Sequence, residues 1–147
     1  MEPKEKTTAT AVWLVLNRAS RSVQAFAEKS IAELGIGLTD FGILEMLLHK
    51  GAMSMSMMAE KSLLANASMT SAIDRLEERG LVERTYPAND RRVRLVQLTR
   101  EGTRMARQLF NQHQEDMERV MEDLSAPERA QLRRLLKKLG LAAKSLA

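Results

Sequence analysis

Between residues 11 and 34, apolar side chains recur at Val12, Leu16, Ala19, Val23, Phe26, Ile31 and Leu34. Steps of three to five residues place them on one face of a helix, which Gly35 and Gly37 should end. Thr39 stands where a cap for a second, short helix is expected. There Phe41, Leu44, Leu47 and Leu48 turn inward, and Lys50-Gly51 closes the element. A third helix is predicted over 54–62. After the connection "LLAN" a fourth runs from Asn66, a natural cap, to Arg79, with Gly80 as its stop. On the fourth helix Met69, Ala72, Ile73 and Leu76 share one face, and Ala67, Ser68, Ser71, Asp74 and Arg75 share the other.

Beyond Gly80 the period changes to two. "LVERTY" and "RVRLVQLT" read as strands joined by a turn at Pro87, Asn89 and Asp90. Thr99 then caps a long helix with Glu101 in its first turn and a stripe that includes Met105, Leu109, Phe110, His113, Met117 and Met121. Ser125 and Glu128 have the spacing of a capping box, opening a last helix that carries Leu132, Leu135, Leu136 and Leu139. The predicted fold is mostly α with a small β-hairpin wing. Its centre reads as short helix, turn, longer helix and hairpin, a winged helix-turn-helix between long amphipathic helices.

Composition narrows the function classes. A chain of 147 residues makes one compact domain with helical extensions. Its net charge of +4 is a small excess, so where the arginines cluster matters more than their total. The chain contains no cysteine, which removes disulfides, thiolate metal sites and cysteine redox sensing. The polar start "MEPKEKTTAT" is unlike a signal peptide, and no apolar run reaches the roughly 18 residues of a membrane span. A cytoplasmic protein without membrane contact is expected. No phosphate-cradling glycine loop and no histidine–carboxylate metal spacing is present, so neither catalysis nor a cofactor is expected.

The segment "ANASMTSAIDRLEERGLVERTYPANDRRVRLVQLTREG" resembles the core of the MarR family of bacterial transcriptional regulators. The likeness rests on "DRLEERGLVER" and on a wing pattern of Asp90, Arg92, Leu98 and Thr99, with "GLTDFGILEMLL" in the family's usual place before the helix-turn-helix. It is strongest over 38–102. The resemblance implies a homodimer on a pseudo-palindromic operator in double-stranded DNA. Residues 1–38 and 100–147 would supply the dimerisation helices, and 39–99 the DNA-binding lobe. It also implies a repressor released by a small effector, often aromatic or phenolic, bound between lobe and dimerisation helices.

Within that frame, Arg92 is the wing residue expected in the minor groove, where a narrow groove concentrates negative potential. Asp90 would orient its guanidinium and brace the turn, and Arg91 and Arg94 are placed for phosphates. On the fourth helix Ser68, Thr70 and Ser71 suit phosphates and base edges, and Arg75 can reach a guanine or a phosphate. Asp74 and Glu78 should pair with neighbouring arginines. Trp13, Phe41, Phe110 and His113 are the candidate effector-pocket residues, set against ordinary core and interface roles. Two alternatives carry distinct signatures. A winged-helix module that binds protein instead of DNA would have a neutral wing and an apolar outer face on the fourth helix. A copper-responsive regulator would use the thioethers of "MSMSMM", Met53 to Met58, against the reading that methionine fills the core there.

Overall fold

The computed structural model describes residues 7–62, 66–87, 90 and 92–147, with Asn66 and Ala67 described in backbone only. Its elements run α1 (Ala9–Glu33), α2 (Leu38–Lys50), β1 (Met53–Ser54), α3 (Met55–Ser62), α4 (Asn66–Glu78), β2 (Val82–Thr85), β3 (Leu95–Leu98), α5 (Arg100–Val120) and α6 (Ala126–Leu146). The chain divides into two compact units, Met1–His113 and Gln114–Ala147.

The first unit is a winged helix-turn-helix lobe built on one apolar core. Ile31 of α1, Leu44 of α2, Met58 of α3, Ile73 and Leu76 of α4, Val96 of β3 and Leu109 of α5 are all fully or almost fully buried within it. The inward face predicted for α4 is the one that packs, since Met69 and Ala72 join Ile73 and Leu76 in the core. Only the C-terminal end of α1 takes part, through Ala27 and Ile31. Of the earlier positions of its stripe, Val12 and Ala19 are exposed and Leu16, Val23 and Phe26 are partly buried.

Two local features differ from the sequence reading. The cap of α2 is Gly37, without a side-chain hydrogen bond, and Thr39 lies inside the helix. Leu38 packs against the core and so is drawn into the first turn, while the Gly37 carbonyl already accepts from the Phe41 N–H at 2.9 Å. The run 54–62 also begins as a strand. Met53 and Ser54 pair with Val96 and Leu95, making an antiparallel sheet of order β1-β3-β2. Two residues are too short to show an alternation. Ser54 then serves the following helix, its hydroxyl accepting from the Met57 N–H at 3.2 Å.

The hairpin strands register Val82 opposite Leu98 and Thr85 opposite Leu95, shorter than the predicted runs. Gly80 stops α4 as expected, at φ +75°. There the Leu81 N–H returns to the Leu76 carbonyl and the Gly80 N–H to Glu77, which satisfies the helix's last acceptors. Thr99 caps α5, its hydroxyl accepting from the Gly102 N–H at 3.0 Å and donating to the Gly80 carbonyl at 2.6 Å.

In the second unit, Ser125 and Glu128 form the predicted capping box. The Ser125 backbone N–H holds the Glu128 carboxyl below the usual carboxylate range. Its folded pKa is depressed, so its stabilisation is present above the unfolded value and is lost as pH falls through the folded one. Arg129 fastens the turn between helices, donating to the carbonyls of Met121 and Leu124 and to Glu118 at 2.7 Å. No α6 side chain is buried, and Leu132, Leu135, Leu136 and Leu139 stand exposed in a row. No helix among the described residues is long and apolar enough to cross a membrane.

Candidate nucleic-acid interface

The outward side of α4 divides along its length. Its N-terminal half exposes Ser68, Thr70 and Ser71, small hydroxyl-bearing side chains that let a groove approach the backbone closely. Its C-terminal half is charged, and the charges are largely answered within the protein. Arg84 of β2 donates to Asp74 at 2.6 Å and to Glu77 at 2.7 Å, an arrangement that raises its pKa, chiefly through the Asp74 hydrogen bond. Arg75 donates to Asp40 of α2 at 2.9 Å and Arg79 to the carbonyl of Gly35 at 3.0 Å. The expected pairing of Asp74 is therefore present. Glu77, which the sequence reading did not single out, shares its arginine.

The wing is fixed by Asp90. Its carboxylate accepts from the backbone N–H of Arg92 at 2.9 Å, so it braces the turn through the main chain and not through the Arg92 guanidinium, which it was expected to orient. Arg92 and Arg94 are exposed, and among the described residues their guanidinium groups have no hydrogen-bond or ion-pair partner. Arg91, with Ala88 and Asn89 of the turn, lies outside the described residues. Exposed cations on the wing, in the same lobe as a hydroxyl-lined helix face, are the features that a nucleic-acid reader needs. They are not those of a neutral protein-docking module.

The four candidate effector residues separate. Phe41 packs on His113, ring centroids 5.1 Å apart, and Phe110 meets His49 edge-on at 4.7 Å. His113 Nδ1 is buried and has no hydrogen-bond partner among the described residues. Trp13 stands apart as an exposed residue of α1, its carbonyl accepting from the Asn17 side chain at 2.7 Å. The methionine run is mostly absorbed by packing. Met53 and Met58 are buried and Met55 rests on the core, whereas Met57 is exposed, so the thioethers face different surroundings. Among the described residues no group of three or more His, Asp or Glu could hold a metal ion.

Residues 36–93 match the MarR family. The HTH-type transcriptional regulator MhqR of Bacillus subtilis is 35% identical over 133 residues, which cover 90% of this chain and 92% of that protein. The chain belongs to the MarR family. It is a helix-turn-helix transcriptional regulator. Among solved structures of MarR type, Streptomyces coelicolor AbsC is 26% identical, with a TM-score of 0.80 over 97% of this chain and 98% of that one. Bordetella bronchiseptica BpsR, whose DNA binding is regulated by 6-hydroxynicotinic acid, is 25% identical, with a TM-score of 0.77 over 88% and 98%.

Against the MarR frame, the positions missed from sequence are the internal partners. Asp40, Arg79 and Arg84 bear on how α4 is held, yet they give no periodic signal because their partners lie 35, 44 and 7–10 residues away. His49 was visible only as one of two histidines. A basic depression of about 410 Å³ on α5, lined by Arg100, Thr103, Arg104 and Arg107, also went unremarked, although the arginines follow helical spacing on one face.

Proposed function

We propose that this MarR-family protein is a cytoplasmic, non-catalytic repressor that binds a pseudo-palindromic operator as a homodimer. Ser68, Thr70 and Ser71 enter the major groove. Arg92 enters the neighbouring minor groove, and Arg94, with Arg91 from the wing motif, holds phosphates. Residues 1–38 and 100–147 pair the protomers, supported by the exposed apolar row of α6 and by Val12, Trp13, Leu14 and Val15 on α1. The observation that carries the reading is the wing, where Arg92 and Arg94 are exposed without a partner among the described residues, in a lobe whose α4 exposes Ser68, Thr70 and Ser71. A second ligand, a small aromatic acid, would seat near Phe41, Phe110 and His113 and release the DNA. The unpartnered His113 Nδ1 supports this, as does the regulation of BpsR by such an acid.

Salt-titrated binding to operator and random duplexes tests the wing. Arg92→Ala should weaken operator binding by about 1–3 kcal/mol and reduce the preference for A·T-rich flanks. Arg94→Ala should weaken every sequence alike and flatten the salt slope by roughly one unit per lost phosphate contact. Wild-type behaviour of Arg92→Ala on both duplexes would reduce the wing to a solvated turn.

A further inference from the structure

Arg75 in the last turn of α4 and Arg79, the first residue beyond its end, are four residues apart and reach one place. Arg75 Nη2 donates to Asp40 Oδ1 at 2.9 Å, and Arg79 Nη1 donates to the Gly35 carbonyl at 3.0 Å. Gly35 and Asp40 flank the corner where α1 passes into α2, Asp40 lying in the first turn of α2. A carboxylate there is also favoured by the positive end of the helix.

The pair is unequal. The Asp40 side chain is 14% exposed and that of Arg75 is 55% exposed, so the carboxylate depends on the arginine more than the arginine on it. Moving Arg75 onto DNA would leave a sheltered charge unpaired, a costly exchange. Carrying Asp40 along would set a carboxylate among phosphates. Arg84 already holds Asp74 and Glu77, so the internal contacts of this half of α4 all serve to fix the helix to its lobe.

We infer that Arg75 is a positioning residue and not a DNA contact: with Arg79 it clamps the recognition helix to the α1–α2 corner through Asp40 and the Gly35 carbonyl. This rests on the proposed DNA binding and reassigns one residue within it. Sequence reading on α4 then falls to Ser68, Thr70 and Ser71. The clamp also brings the helix within one residue of the aromatic–histidine cluster, because Phe41, next to Asp40, is the ring that packs on His113.

The test compares Arg75→Gln, Asp40→Asn and the double variant in the full-length protein. The DNA is the duplex that wild type enriches from a random pool, titrated with salt. Arg75→Gln strands Asp40 and should cost about tenfold in operator affinity, and the double variant should recover to within about threefold, with all salt slopes equal to wild type. A double variant no better than Arg75→Gln, or a slope flattened by roughly one unit per protomer, would overturn the assignment. Hydrogen exchange of α4 in the free protein reads the clamp without DNA. It should rise in Arg75→Gln and fall back in the double variant, and unchanged exchange in both would also overturn the assignment. A wild type that enriches no sequence would defeat the proposed DNA binding and leave the exchange result to decide the clamp.

Discussion

Arg84 carries two carboxylates of the recognition helix at once, its own side chain only 19% exposed while those of Asp74 and Glu77 stay in contact with solvent. Its consequence for DNA binding is indirect. Asp74 and Glu77 lie on the same helix as the hydroxyls proposed to face the groove, and unneutralised they would repel phosphates. Arg84→Met should therefore lower affinity for all DNA by about tenfold while costing only about 1 kcal/mol in folding stability, because the two carboxylates it pairs are solvent-exposed. Denaturant unfolding and binding to random duplex measure the two effects separately. A loss of stability with unchanged DNA affinity would show that the carboxylates do not matter to binding. Asp90 works at the same scale, but on the main chain, where its hydrogen bond to the Arg92 N–H sets the wing turn from which the arginine projects.

At the scale of elements, close approach matters as much as pairing. Gly102, in the first turn of α5, has no room for a side chain: a Cβ there would lie 1.8 Å from the Leu81 carbonyl oxygen, which is backbone and cannot swing aside. Gly102→Ala should push α5 off the start of β2 and destabilise the lobe by about 2–3 kcal/mol, as overpacking does. Calorimetry showing an unchanged melting temperature would contradict this packing. The elements themselves were largely legible. The apolar spacing of α4, the Gly80 stop, the Thr99 cap and the Ser125–Glu128 box are local signals, and each is present in the structure. The sequence did not disclose β1, which is two residues long inside a run that reads as helix, or the Gly37 cap, where packing of Leu38 outweighed the preference of Thr39. The candidate site was legible in part for the same reason. The hydroxyls and wing arginines sit in a motif with fixed spacing, whereas the Asp40 partner of Arg75 lies 35 residues away and leaves no trace in periodicity.

For the molecule as a whole, α6 and the first turns of α1 present leucines, valines and Trp13 to solvent, with Trp13 60% exposed. Apolar rows of this extent on two helices call for a partner surface, which in the proposed homodimer a second copy of the chain supplies with two-fold symmetry. Trp13 is the only tryptophan, so its fluorescence is a direct probe of events on α1. An aromatic acid such as 6-hydroxynicotinic acid should raise the melting temperature of wild type and raise it less for His113→Leu, which removes the open nitrogen. Equal shifts in both would place the ligand elsewhere. Two-fold symmetry also constrains the DNA, because each lobe reads one half-site and the half-sites must lie about one helical turn, roughly 10 base pairs, apart. The most direct measurement is selection of duplexes from a random pool by the intact protein, followed by footprinting of the winners. Enrichment of a pseudo-palindrome with that spacing, protected on both half-sites and lost together in Arg92→Ala, is the expected result. Absence of any enriched sequence, or equal affinity for a single half-site, would contradict a dimeric operator-binding regulator.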